Sequence, residues 1–227
     1  MSVLQIAIDG PVGAGKSEIS TRLAKTLGIT YLNTGAMYRA VALMCHMEKV
    51  GFKDTERVLP LLKRYRISIM PDPEGFRGFR LYLNKNDVTE QLFIPDIDKG
   101  ASDVSTIPEV RKYLVGMQKR LAKGNNIIME GRDIGYRVLP GAGLKDYLTA
   151  SIEERARRRY ELQKLKGGTK TPAEIIRETV DRDRQDMNRV SDPLMIMSDA
   201  WELDTTGMTQ EEVVNSIRSE LKKRKLI

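Results

Sequence analysis

Residues 3–28 read VLQIAIDGPVGAGKSEISTRLAKTLG: an apolar run, a glycine-rich octapeptide, and an amphipathic stretch. VLQIAID is continuous and of strand length, as expected for a strand covered on both faces of a parallel sheet. Beyond the glycines, Ile19, Leu23 and Leu27 fall on one helical face, and Gly28 closes the pattern. A turn that only reversed the chain would accept almost any polar residues. Gly10, Pro11, Val12, Gly13, Ala14, Gly15, Lys16 and Ser17 instead fit G-x-x-x-x-G-K-[ST], with the strand before and the helix after that the motif requires. The glycines let backbone N–H groups curl around phosphate oxygens, and the helix adds its positive end. Lys16 is expected on the β- and γ-phosphates of ATP, and Ser17 as a ligand to Mg²⁺. With Glu18 in the first helical turn, residues 10–18 form the expected ATP-binding run.

Working outward, ITYLN reads as a second strand and TGAMYRAVALMCHMEKVG as a helix closed by Gly51. From about Arg66, RISIMPDPEGFRGFRLYLNKNDV holds two β-type runs around Pro- and Gly-containing turns, an antiparallel insert expected to run to roughly Lys99. PEVRKYLVGMQKRLAKG is helical, NNIIME a buried-type strand, GRDIGYRVLPGAG a loop and LKDYLTA another strand. A charged helix, SIEERARRRYELQKLK, precedes a GGTK break and a second charged helix from Pro172 to about Arg189, and AWELD and TQEEVVNSIRSELKKRK supply a last strand and helix. This order predicts an α/β chain with a P-loop NTPase fold: a doubly wound parallel sheet, a small antiparallel β insert and a helical lid. No repeat or low-complexity linker divides it, so a single domain is expected.

Composition narrows the chemistry. No apolar stretch in the 227 residues approaches the roughly 20 that a membrane-spanning helix needs. The N-terminus carries no basic leader pattern, so a cytoplasmic protein with no membrane partner is expected. One cysteine and one histidine exclude an internal disulfide and a zinc-type cluster, so any metal is oxygen-ligated. Cys45 and His46 lie in an apolar helical pattern and read as packing residues. The net charge of +7 suits an anionic partner, but basic runs lack the aromatic platforms of single-strand binders, so no stable nucleic-acid partner is expected and the chain is taken as a monomer. The C-terminal KKRK reads as the basic end of a last helix.

Phosphoryl transfer requires several arginines converging from separate segments. Arg39, Arg111 and Arg132 lie in or beside segments expected at the carboxyl edge of the sheet, where such folds bind ligands. Arg182, Asp186 and Arg189 are four and three residues apart and share a helix face, suited to a phosphate and a sugar hydroxyl; a solvated ion-paired face would show the same spacing. Arg155, Arg158 and Arg159 precede Gly167-Gly168, as in a basic lid that closes over a triphosphate and excludes water. A second class of reading is a nucleotide-switched binding protein for RNA or protein, for which NKND at 84–87 matches a guanine-reading tetrapeptide in letters but lies inside the β insert.

GPVGAGKS, NTGAMYR, LNKNDVT, ASDVSTIPEVR, EGRDIG and DRDRQDMNR, in that order, resemble the bacterial-type cytidylate kinases over essentially the whole chain. The resemblance implies one kinase domain that converts ATP and CMP or dCMP to ADP and CDP or dCDP, with Mg²⁺. It implies a core of residues 1–34, 100–150 and 198–227, a monophosphate-binding region at about 35–99 that includes the insert, and a lid at about 155–172. By the same resemblance Thr34, Arg39, Arg132 and Arg189 hold the CMP phosphate with Tyr38 packed nearby. Ser102, Arg111 and Asp133 meet the cytosine edge, Arg182 and Asp186 the sugar hydroxyls, and Lys16, Arg132, Arg158, Arg159 and Arg189 act on the transferred group. The chain departs from the family at Asn33-Thr34-Gly35 in place of Asp-Ser-Gly, at Glu130 in place of Asp, at Ser17-Glu18 in place of Gly-Thr, and at Gln185 and Met187.

Overall fold

The computed structural model describes residues 3–165 and 167–227; Lys166, within the expected lid, lies outside them. The central strand is β1 (Gln5–Asp9), whose Ile6, Ala7 and Ile8 are fully buried because both faces of the sheet are covered. It is followed by α1 (Lys16–Leu27), β2 (Thr30–Asn33) and α2 (Thr34–Met47), then, later in the chain, by β6 (Ile127–Gly131), β7 (Leu144–Thr149) and β8 (Trp201–Asp204). The five strands are parallel in the order β2-β6-β1-β7-β8. Register pairs Asn33 with Glu130, Ile8 with Glu130 and Asp9 with Gly131, so three carboxyl ends finish in one row. The turns entering β2, β6 and β7, which carry Gly28, Gly124 and Gly141, lie at the opposite edge of the sheet.

Helix α2 begins as its residues dictate. The Asn33 side chain accepts the Ala36 amide to cap α2, which is buried along most of its length through Met37, Val41, Met44 and Cys45. Cys45 is buried, as expected of a packing residue, whereas His46 is exposed on the outer side of α2 and does not pack in the core. A helix not read from the sequence, α3 (Thr55–Arg64), is capped by Asp54 and buries Val58, Leu61 and Leu62. Its internal Pro60 removes one helical bond and masks the pattern.

The insert is smaller than expected. It comprises β3 (Ile67–Asp72), β4 (Gly78–Leu83) and β5 (Asn86–Asp87), antiparallel, with Phe79 of β4 meeting Tyr31 of β2 edge-on at 6.3 Å. Asn84 and Lys85 have φ of 49° and 78°, so NKND forms a tight hairpin turn between β4 and β5 and not a base-reading loop after a sheet strand. The sheet ends at Asp87; a short 3₁₀ turn at Glu90–Phe93 and α4 (Pro95–Val104) follow, so an insert running to Lys99 is incorrect and a boundary at residue 100 divides a helix. Helix α4 forms because Ile97, Ala101 and Val104 bury against α2, which outweighs a sequence rich in Asp and Gly.

The remaining elements are α5 (Pro108–Ala122), a π-helical turn at Ile134–Val138, α6 (Ile152–Leu165), α7 (Pro172–Asn188) and α8 (Gln210–Lys223). Capping boxes at Thr171/Glu174 and Thr209/Glu212 start α7 and α8. Glu220 holds Lys223 and Arg224, so the basic tail does finish a helix. Among the described residues no helix is long and apolar enough to cross a membrane.

Candidate active site

The glycine loop joins the end of β1 to α1. Gly10 has φ of +147°, and a Cβ there would stand 2.0 Å from the Leu148 carbonyl oxygen of β7; Gly13, at +77°, lies against the Arg155 backbone. The bonding of α1 begins with the Ile19 amide on the Gly15 carbonyl, which leaves the Lys16, Ser17 and Glu18 amides at the open helix end. The Glu18 carboxylate pairs with Arg22 on the outer face, so only its amide faces the loop's role. Lys16 Nζ donates to the Gly10 and Pro11 carbonyls at 2.8 Å each. Burial, with Arg132 nearby, pulls its ammonium down to about 7.

Ser17 Oγ donates to Glu130 Oε1 at 2.5 Å, and the Tyr31 hydroxyl donates to the same oxygen at 2.9 Å. Glu130 is the penultimate residue of β6 and is 5% exposed, while Asn33 Nδ2 lies 3.4 Å from Ser17 Oγ and 3.1 Å from the Tyr31 oxygen. Asp9 closes this region: its carboxylate accepts the Ile134 and Gly135 amides at 2.9 and 2.7 Å, so the end of β1 positions the loop that carries Arg132 and Asp133. Burial pushes the Asp9 carboxyl up to about 6, against the opposing pull of those two amides.

Beside the loop stands a second cationic cluster. Asp186, 2% exposed on α7, accepts Arg132 Nε at 2.7 Å and lies 3.7 Å from Arg182 Nε and 3.8 Å from Arg189 Nη1. Burial raises its carboxyl, but the surrounding arginines together hold it below the usual range. Arg39 on α2 donates to Asp98 Oδ1 at 2.5 Å and stands over the Phe93 ring at 5.4 Å, while Arg182 reaches the Asp98 carbonyl at 3.5 Å. The Nε atoms of Arg39 and Arg182 and the Tyr38 hydroxyl are buried without hydrogen-bond partners, an arrangement suited to an incoming polyanion. Thr34 Oγ1 donates to the Glu130 carbonyl at 2.7 Å, which leaves its lone pairs for another donor.

A third group adjoins it. Arg111, 1% exposed, donates to Asp133 Oδ2 at 2.5 Å and Asp192 Oδ2 at 3.0 Å, with its guanidinium 5.4 Å from the Tyr38 ring centre. Arg189 Nη2 is 3.4 Å from Asp133 Oδ1, and it also bonds the Asp192 carbonyl. Ser102 on α4 bonds Gln185 on α7. Every expected acceptor residue therefore falls in one connected region: Thr34, Tyr38, Arg39, Ser102, Arg111, Arg132, Asp133, Arg182, Asp186 and Arg189.

The three arginines expected to form a lid divide. Arg158 and Arg159 are roughly 100° apart around α6. Arg158 bonds the Ala14 carbonyl of the loop at 3.3 Å and the Thr205 carbonyl at 2.8 Å, whereas Arg159 turns to Thr179 Oγ1 of α7 at 2.7 Å. Arg155 fastens the base of α6: it bonds Asp183 at 2.6 Å and the Val12 carbonyl at 3.0 Å, and the Val12 amide lies 3.3 Å from the same Asp183.

The cytidylate kinase family model matches residues 6–223. The chain belongs to that family. It is 46% identical to a cytidylate kinase of Caldanaerobacter subterraneus subsp. tengcongensis over 97% of this chain and 95% of that one. It is 40% identical to a cytidylate kinase of Streptococcus pneumoniae over 99% and 100%. An uncharacterized protein from Eubacterium ventriosum superposes with a TM-score of 0.55 at 11% identity, covering 98% of this chain and 99% of that one, a likeness of fold alone.

For a cytidylate kinase family member, the residues that sequence reading left without a role are instructive. Glu130 was legible only as a carboxylate ending a buried strand, because its partner Ser17 is 113 positions away. Asp98 stands four residues before Ser102, a spacing that puts both on one face of α4. Asp183 and Asp192 offered no signal beyond their charge.

Proposed function

We propose that the protein transfers the γ-phosphoryl group of ATP to CMP and dCMP, giving ADP with CDP or dCDP. The observation that carries this reading is the buried arginine cluster around Asp186, set beside the glycine loop, in which Arg182 Nε and the neighbouring Arg39 Nε make no hydrogen bond. A nucleotide hydrolase needs one phosphate site; a phosphotransferase to a phosphate needs two. Family membership supports the choice of CMP.

ATP would lie with its phosphates along residues 10–18, Lys16 exchanging two loop carbonyls for β- and γ-phosphate oxygens. The CMP phosphate would take Arg39, Arg132, Arg189 and Thr34, whose hydroxyl would exchange the Glu130 carbonyl for a phosphate oxygen, and the sugar would take Arg182 and Asp186. Its base would meet Ser102, Arg111 and Asp133, whose acceptors and guanidinium complement an exocyclic amine beside ring acceptors. The acceptor oxygen is already anionic, so no general base is required: the new bond to the γ-phosphorus forms as the bond to the β-bridging oxygen breaks. Catalysis then rests on alignment and on charge neutralisation by Lys16, Arg132, Arg158, Arg159 and Arg189.

The hydroxyl of Ser17 and the carboxylate of Glu130, at 2.5 Å, are hard oxygen donors suited to Mg²⁺. Such an ion would neutralise charge on the phosphate oxygens. Closure of the α6–α7 hairpin around the segment near Gly167 would exclude water.

The test is release of ADP from ATP and Mg²⁺ in a coupled assay with CMP, dCMP, UMP, AMP, GMP, shikimate or no acceptor. Turnover with CMP or dCMP well above the rest is expected. Equal turnover with every acceptor, or with none, would overturn the reading.

A further inference from the structure

Gln185 is a neutral amide set among the charged groups of α7, and its two bonds fix its orientation. Nε2 donates to the Ser102 backbone carbonyl at 3.2 Å, and Oε1 accepts from the Ser102 hydroxyl at 2.9 Å. A carbonyl oxygen only accepts, so the amide end facing it must be the NH₂ and the end facing the hydroxyl must be the oxygen. The Ser102 hydroxyl, buried at 4% exposure, therefore has its proton committed to Gln185, and only lone pairs remain to meet anything else. The same Ser102 carbonyl receives the Ser105 hydroxyl at 2.7 Å, the Ser105 carbonyl receives Arg111 Nη1 at 3.4 Å, and Arg111 holds Asp133. One hydrogen-bonded chain thus links Gln185 to every group assigned to the base.

We propose that Gln185 sets base specificity by consuming the donor of Ser102. The hydroxyl becomes an obligate acceptor, so the base edge it meets must donate. The 4-amino group of cytosine does so, and the 4-oxo group of uracil does not. A free serine hydroxyl rotates to suit either, and would read both pyrimidines. Gln185 is a positioning residue here, acting through Ser102, and the inference rests on the base contact assigned to Ser102 above.

The test measures kcat/KM for CMP and for UMP in the unaltered protein, in Gln185→Met, in Ser102→Ala and in the double variant. Methionine keeps the length and removes both bonds. The expected result is a fall of roughly tenfold in the CMP-over-UMP ratio for Gln185→Met, the scale of one hydrogen bond. No further change is expected when Gln185→Met is added to Ser102→Ala, because both act on one hydroxyl. Each ratio is taken within one preparation, so a partly unfolded variant does not move it. Equal losses for CMP and UMP in Gln185→Met, or a ratio change that survives in the Ser102→Ala background, would overturn the proposal. An unchanged ratio in Ser102→Ala would also overturn it and would locate the error in the base contact. Absence of turnover with any pyrimidine monophosphate would instead place the failure in the proposed reaction.

Discussion

At the scale of the residue, Lys16 carries an electrostatic cost that substrate would relieve. Its folded value near 7 lies below the ordinary 10.5, so between those limits the unfolded chain holds a proton that the native state lacks. The cost to the ligand-free protein is therefore full below about 7 and fades as pH climbs through that window. At pH 8 the side chain is mostly neutral, and triphosphate binding should recharge it by taking up a proton. Calorimetry of ATP binding at pH 8 in buffers of different ionisation enthalpy should show that uptake, and Lys16→Met should remove it. Heats independent of buffer in the unaltered protein would contradict it. The glycine motif was legible because its meaning is local. The depressed value was not, because it comes from burial and from Arg132, both created by the tertiary fold. Gly10→Ala tests the local part: a Cβ 2.0 Å from a backbone oxygen at φ +147° should abolish both nucleotide binding and turnover, as read by equilibrium dialysis and the coupled assay.

At the scale of the element, the Arg155–Asp183 pair couples α6, α7 and the phosphate loop through side chains that are 6% and 10% exposed. Removing one partner leaves a buried charge uncompensated, so Asp183→Ala should destabilise the protein by about 3–5 kcal/mol, read from urea unfolding. Arg155→Met with Asp183→Leu should recover most of that loss, since apolar replacement of a buried pair is often neutral. A loss under about 1 kcal/mol for Asp183→Ala would show that water already screens the Arg155 guanidinium. Most elements followed from periodicity and capping residues, as α1, α2, α5, α7 and α8 illustrate. Helices α3 and α4 did not, since Pro60 interrupts one and the other is a poor helix former held by Ile97, Ala101 and Val104. The same limit applied to the lid: spacing placed Arg155, Arg158 and Arg159 together, but only packing distinguishes Arg158 on the loop from Arg159 on α7.

At the scale of the whole molecule, a net charge of +7 should draw anionic nucleotides toward the site and enhance their capture. Raising KCl from about 0.1 M to about 1 M shortens the Debye length from about 10 Å to about 3 Å. The value of kcat/KM for CMP should then fall severalfold, mostly through KM, and an unchanged value would show that capture is purely local. The row of strand ends has a further consequence at the opposite side of the sheet. Asn33, Glu130, Gly131 and Asp9 concentrate the chemistry at the carboxyl edge, while the turns entering β2, β6 and β7 carry Gly28, Gly124 and Gly141, around each of which an added Cβ meets nothing within 4 Å. That edge is a natural handle: a dye or surface tether attached at Gly141 through a cysteine would report on or immobilise the molecule while leaving the nucleotide face open to solution.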